Sequence, residues 1–245
     1  MGQYLLKYKQ GEYMTESKYQ IQNYLVYEAE HYKVHDCVSR PSDGCEVLRA
    51  DSVLFKNKKA IASQSCCSAN LKFVTLPENI EYIGQSAFSC NENLLKFEAR
   101  DGLQIIGRYA FSDCYELRCV TLPKSLKFIG KHAFKRCYQL QEVTIPPHVK
   151  WLPSVEDSPF VSCPKLEKIE CNNCLKDTII EYSAFLPSLR KVVLTDEEGN
   201  KLSTLMCAER KVASDNLGTK KNFRIVQDLK MTEEYQSKRD SELNL

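Results

Sequence analysis

Twelve cysteines in 245 residues are the first feature with chemical reach. Thiolates ligate metals, exchange disulfides and attack electrophiles. Two spacings could put them to such use. Cys171-Asn172-Asn173-Cys174 is a C-x-x-C, which is either half of a zinc site or a redox pair. His31 and His35 stand four apart, so a helix would carry both imidazoles on one face, with Cys37 and Cys45 beyond. Either arrangement would define a metal- or redox-linked protein, and each lacks its complement. A structural zinc site needs a second pair of ligands, and none accompanies Cys171 and Cys174 at a suitable spacing. Tyr32 stands where a zincin carries its glutamate. The expectation is exposed histidines and packing cysteines, with no metal and no cofactor.

The other chemical signatures also fall short. There is no glycine-rich phosphate loop, no G-x-S-x-G and no paired-acid motif, and none of the four histidines neighbours a nucleophile. The chain is therefore read as a non-enzyme. Its net charge of +2 gives no pull toward nucleic acid or anionic lipid. No apolar run approaches the roughly 20 residues of a membrane helix. The first ten residues, MGQYLLKYKQ, lack the apolar stretch of about 7–15 residues that a secretory signal needs. The sequence as it stands points to the cytoplasm, or to the cell surface or a secreted location if it is a processed fragment.

What must position these residues is a repeat. Phe88, Phe111, Phe134, Phe160 and Phe185 are separated by 23, 23, 26 and 25 residues. NIEYIGQSAF at 79–88 answers to GLQIIGRYAF at 102–111 and SLKFIGKHAF at 125–134. Strand-like phrases recur in step: LKFVTLP at 71, LRCVTLP at 117, LQEVTIP at 140, LEKIECN at 166 and LRKVVLT at 189. Their alternation buries Leu71, Val74 and Leu76, and likewise Leu117, Val120 and Leu122, and Leu140, Val143 and Ile145. Ile80, Leu103, Leu126 and Val149 form a second apolar column, and Ile83, Ile106, Ile129 and Leu152 a third. Tyr82, Ile105, Phe128 and Trp151 form a fourth, which makes the lone tryptophan a packing residue. Gly84, Gly107 and Gly130 share a slot that requires positive φ or close backbone approach. Cys90, Cys114, Cys137 and Cys163 follow the phenylalanines by two or three residues and read as small buried hydrophobes. His132 shares a variable column with Ser86 and Tyr109. One such unit cannot bury its own apolar face, so the units must stack.

The phrase L-x-x-[VI]-x-[LI]-P-x-x-[VIL]-x-x-I-G-x-x-A-F-x-x-C-x-x-L resembles the BspA-like leucine-rich repeats. Residues 71–147 carry it closely and 148–195 degenerately, and SVLFKNKKAIAS at 52–63 resembles a connector of that family. The resemblance implies an α/β repeat solenoid, a ladder of short parallel strands with N- and C-terminal caps. It also implies a bacterial, non-enzymatic protein-binding module, adhesin-like in several members, whose partner here is an unidentified protein.

Three segments follow: a tyrosine-rich N-terminal cap at 1–45, the solenoid at 46–195, and a C-terminal cap with a polar tail at 196–245. Ile21–Tyr27 is β-prone, Leu202, Leu205 and Met206 recur at helical spacing, and Phe223–Val226 reads as one more strand. The outward strand positions make the candidate binding face: Phe73, Lys96, Glu98, Arg118, Thr121, Glu142, Thr144, Lys168, Glu170 and Lys191. Cys119, Thr75 and Val193 occupy the same rows.

Overall fold

A computed structural model describes residues 37–38, 45–208 and 222–226. The apolar columns become the inner lining of a solenoid with two parallel sheets. A front sheet joins β2 (Val47–Leu48), β4 (Phe73–Leu76), β6 (Lys96–Ala99) and β8 (Cys119–Thr121) in that order. A rear sheet joins β1 (Cys37–Val38), β3 (Ala60–Ile61), β5 (Tyr82–Ile83), β7 (Ile105–Ile106) and β9 (Phe128–Ile129). Every pairing within these two sheets is parallel. Strands of two to four residues cannot stand alone. Stacking supplies both their hydrogen bonds and their burial.

The remaining wall of each repeat is a turn segment that makes a ladder of its own. The N–H of Ser86 donates to Arg108 O at 2.8 Å, Tyr109 to Lys131 O at 3.0 Å and His132 to Asp157 O at 3.2 Å. Phe88, Phe111 and Phe134 donate to Ala110 O, Ala133 O and Pro159 O at 2.7–2.8 Å. Cys90, Asp113 and Arg136 donate to Ser112 O, Lys135 O and Val161 O at 2.8–2.9 Å. To aim these groups along the stack, two non-glycine residues per repeat take left-handed backbone. They are Ser86 and Cys90, Tyr109 and Asp113, and His132 and Arg136, all with φ between 53° and 62°. The glycines do something else. A Cβ on Gly107 would lie 2.8 Å from Gly84 C and Ile83 O, and one on Gly130 would lie 2.7 Å from Arg108 N. Of the two expectations for that slot, close approach is the correct one.

One continuous apolar core runs from Leu48 to Leu205. At its centre Phe88, Phe111, Phe134 and Phe160 stack in sequence, with centroids 5.3, 5.2 and 5.9 Å apart and planes within 10° of parallel. Phe185 does not extend the column and is 65% exposed. There the turn segment is replaced by α1 (Lys176–Tyr182), which fills the end of the core with Ile179 and Tyr182, while the Tyr182 hydroxyl donates to Pro153 O. Outside the rear sheet, Trp151 and Ile105 pack on Phe128, in keeping with the packing role expected of the tryptophan.

The cysteine column also differs in detail. Cys114, Cys137 and Cys163 are buried, but each S–H also donates to the preceding phenylalanine's carbonyl: Phe88 O at 3.3 Å, Phe111 O at 3.3 Å and Phe134 O at 3.1 Å. Cys90 is exposed, because the equivalent slot belongs to Asn91. The Asn91 amide donates to Cys66 O and Phe88 O, both at 2.8 Å, and its carbonyl accepts from Leu71 N at 2.9 Å. The column selects a small side chain that can donate to the rung before it.

A C-terminal sheet follows in the order β10 (Glu142–Thr144), β11 (Lys168–Asn172), β12 (Lys191–Thr195), β13 (Lys201–Ala208) and β14 (Asn222–Val226). β8 and β10 lie side by side, yet among the described residues they share no strand ladder. Val120 and Leu122, expected inside, are only partly buried at this seam. β13 and β14 pair antiparallel. The helical spacing at Leu202–Met206 was misleading. Asp196 caps the preceding turn by accepting from Glu198 N and Asn200 N, so the chain reverses against β12, with Leu205 buried and Met206 40% exposed. The strand expected at Phe223–Val226 is β14. Ile21–Tyr27 lies outside the described residues.

Phe111→Ala should lower the unfolding free energy by about 3–5 kcal/mol, since the ring stacks on both sides. Asn91→Ala should strand buried backbone groups at about 1–3 kcal/mol each, and Asn91→Cys should recover part of the loss by donating to Cys66 O. Urea melts of the three variants check both expectations.

Candidate partner-binding surface

Parallel register turns alternate strand positions into straight rows. On the front sheet Phe73, Lys96 and Cys119 align, as do Thr75, Glu98 and Thr121. On the C-terminal sheet Glu142, Lys168 and Lys191 align, as do Thr144, Glu170 and Val193. Phe73, Lys96, Arg118, Thr121, Glu142, Thr144 and Lys191 are exposed, and Glu98, Lys168 and Glu170 are half-buried. Arg118 stands at the margin of the face, its N–H on Leu95 O at 3.0 Å. Val193 is the exception: it is buried, as is its β13 partner Thr204, so the second row closes at its C-terminal end.

The register adds two members that the repeat alignment missed. Val47 pairs with Phe73 and is 46% exposed, and Met206 pairs with Lys191. The first row is therefore apolar at both ends, with charged residues and the exposed Cys119 between. Val47 lies in EVLR, too degenerate a phrase to align, and Met206 is reached only through an antiparallel turn.

Several of the charges are paired. Lys168 Nζ lies 2.9 Å from Glu142 Oε2, Lys96 Nζ 3.0 Å from Glu98 Oε1, and Arg118 Nη2 3.1 Å from Glu116 Oε2. Hydrogen bonding to Glu142 raises the Lys168 pKa further. Exposed pairs of this kind add at most about 1 kcal/mol, so they are available to a partner at small cost to the fold.

The alternative chemistry has no comparable geometry. Cys171 is buried in the inward slot, as expected, and burial pushes its thiol pKa up to about 12. Cys174 is exposed beyond the strand. Among the described residues no group of three or more His, Cys, Asp or Glu could hold an ion. His31 and His35 lie outside them. No helix among the described residues is long and apolar enough to cross a membrane.

His132 is more enclosed than a variable surface position implies. Its ring packs 5.1 Å from Tyr109, its Nε2 lies 3.7 Å from Asp157 Oδ1, and its Nδ1 is buried without a partner. Burial depresses its pKa below 6.5. Lys135 and Arg108 add to the effect, while a Ser158 backbone group and Asp157 oppose it.

Residues 59–191, more than half of the chain, match the family model described as the BspA-type leucine-rich repeat region, in six copies. The chain belongs to that family. Among solved structures it is similar to a leucine-rich repeat protein of T. pallidum, at 26% identity and a TM-score of 0.49, over 55% of this chain and 62% of that one. It is similar to the pneumococcal vaccine antigen PcpA at 22% identity and a TM-score of 0.51, over 66% of this chain and 44% of that one. A Bacteroides ovatus leucine-rich repeat protein is 24% identical with a TM-score of 0.44, over 57% and 44%. This BspA-type chain thus spans less than two thirds of each of these relatives. No curated protein matches it. The expectation of a cytoplasmic location finds no support in these comparisons.

A histidine that resists protonation when folded makes stability depend on pH in one direction. The unfolded chain takes up the proton more readily, so stability is full above about pH 6.5 and falls as pH drops below it. His132→Asn keeps a side chain tolerant of left-handed backbone and should flatten that decline. Thermal melts of both proteins from pH 7.5 to 5.5 check this.

Proposed function

We propose that this BspA-type solenoid is a non-enzymatic protein-binding module whose partner lies along the outward strand rows. The observation that carries the reading is the first row itself, with apolar Val47 and Phe73 at one end, Met206 at the other, and Lys96, Glu142, Lys168 and Lys191 between. At about 4.8 Å per strand the row spans roughly 34 Å from β2 to β13. An open surface of that length suits another protein and not a small molecule. The apolar ends supply contact area and the charged centre supplies orientation, since exposed charges act mainly on encounter and selectivity. The ten residues assigned to the face, Phe73, Lys96, Glu98, Arg118, Thr121, Glu142, Thr144, Lys168, Glu170 and Lys191, join Val47 and Met206 in this role. An adhesin-like task at a cell surface or outside the cell is the setting we infer, in keeping with the family.

A partner recovered with the wild-type chain as bait permits a direct test. Glu142→Lys, Lys168→Glu and Glu170→Lys together preserve the Glu142–Lys168 pair in reversed polarity. The triple variant should melt within a few degrees of wild type, bind with a slower on-rate and show an altered salt dependence. Lys124→Glu with Lys127→Glu, exposed positions after the strand, is the control and should leave binding unchanged. Weakened binding in the control with normal binding in the triple variant would move the partner to another face.

A further inference from the structure

The turn ladder brings two thiols of adjacent rungs together. Cys66 N–H donates to Ala87 O and Ser68 N–H to Ser89 O, both at 2.9 Å, which sets Cys67 opposite Ser89. The Ser89 hydroxyl donates to Cys67 Sγ at 3.2 Å. Cys90 is the next residue, its left-handed backbone at φ 56° turning the side chain out of the core. Burial first, and the neighbouring Cys67 thiol next, raise its pKa, as expected of two thiols that share one spot on the surface. Rungs about 4.8 Å apart and Cα atoms about 3.8 Å apart along the chain give a one-residue diagonal of about 6 Å, within the range a disulfide spans. Cys67 is partly exposed and Cys90 exposed, so a small reagent can reach them. The ladder thiols of Cys114, Cys137 and Cys163 are buried and committed to backbone carbonyls.

We propose that Cys67 and Cys90 are a redox modification site, which a small disulfide such as oxidised glutathione converts to a bridge between adjacent rungs. Because burial and Cys67 raise the Cys90 pKa, the reaction runs in alkaline buffer, where the Cys90 thiolate attacks one sulfur of the reagent, forms a mixed disulfide and releases one glutathione thiolate. The Cys67 thiolate then attacks the Cys90 sulfur, closing the bridge and releasing the second. Two electrons pass from the protein thiols to the reagent, and the two protons they give up reappear on two glutathione thiols. The bridge ties the first full repeat to the rung before it, across a joint otherwise held by backbone hydrogen bonds and core packing. Two thiols sharing a face can accept and return this modification, whereas the buried column cannot without unfolding.

The folded chain is treated with oxidised glutathione, its remaining thiols are alkylated in denaturant, and the product is digested with trypsin without reductant. Cleavage after Lys59, Lys72 and Lys96 puts Cys66 and Cys67 in peptide 60–72 and Cys90 in peptide 73–96. The expected product is the linked pair of peptides, lighter than the sum of its reduced parts by two hydrogens and split by dithiothreitol. Cys67→Ser and Cys90→Ser should each abolish it, Cys66→Ala should retain it, and the oxidised wild type should melt at a higher temperature than the reduced. Circular dichroism confirms that each variant is folded. A wild type that stays alkylated at both sites, stops at the mixed disulfide, or gives a link that survives Cys67→Ser would overturn the proposal.

Discussion

Every feature of this molecule depends on one distance, the separation at which the backbone of one repeat lies on the next. Gly84, Gly107 and Gly130 set it, because a methyl group there would press into the main chain of the preceding rung. At that spacing a carbonyl and an N–H meet on the front sheet, the rear sheet and the turn ladder alike. The phenylalanine rings then fall at stacking distance, and a cysteine reaches the carbonyl of the rung before it. A larger residue in the glycine slot would disturb all these contacts together, because they share one register.

The binding rows are the outward expression of the same register. Side chains from residues 23 to 26 apart in sequence stand in line because their strands pair residue for residue. The inner positions hold the fold and the outer ones are left to vary. This division lets a charged centre and apolar ends be written on the surface at small cost to the core. Lys168 and Glu142 illustrate it, as their ion pair decorates the face while Val143 and Ile169 beneath them carry the packing.

Much of this was legible in the residues. The phenylalanine period, the strand phrases and the apolar columns define the ladder, because identical slots recur and each recurrence tests the last. What recurs only in geometry was harder to see. The left-handed turns are occupied by Ser, Tyr, His, Cys, Asp and Arg, which share no chemistry and are held by ladder bonds between chains of different repeats. Cys90 resembles its column and misses it by one residue, because Asn91 performs the donor role that Cys114 performs one rung on. Phe185 keeps the period but not the place, since α1 has replaced the turn beneath it. Leu202, Leu205 and Met206 fit a helical face as well as a strand, and only the reversal at Asp196–Asn200 decides between them. The outer rows were assigned from the same alternation, so they reach as far as the alignment does and stop short of Val47 and Met206.

The seam between β8 and β10 gives the solenoid an uneven stiffness. Along the turn side the rungs stay bonded through it, by Phe134 N–H to Pro159 O and by the Cys163 thiol to Phe134 O. On the strand side the sheet ladder lapses at that step among the described residues, although Gln139 N–H still donates to Tyr115 O at 3.3 Å just before β10. A rod with fewer fastenings at a single point along one edge is least constrained there. The two halves of the outer rows are thus joined at that step by the turn ladder, the shared core and the stacked rings of Tyr115 and Tyr138, and not by strand pairing, so the face carries its one interruption midway along its length.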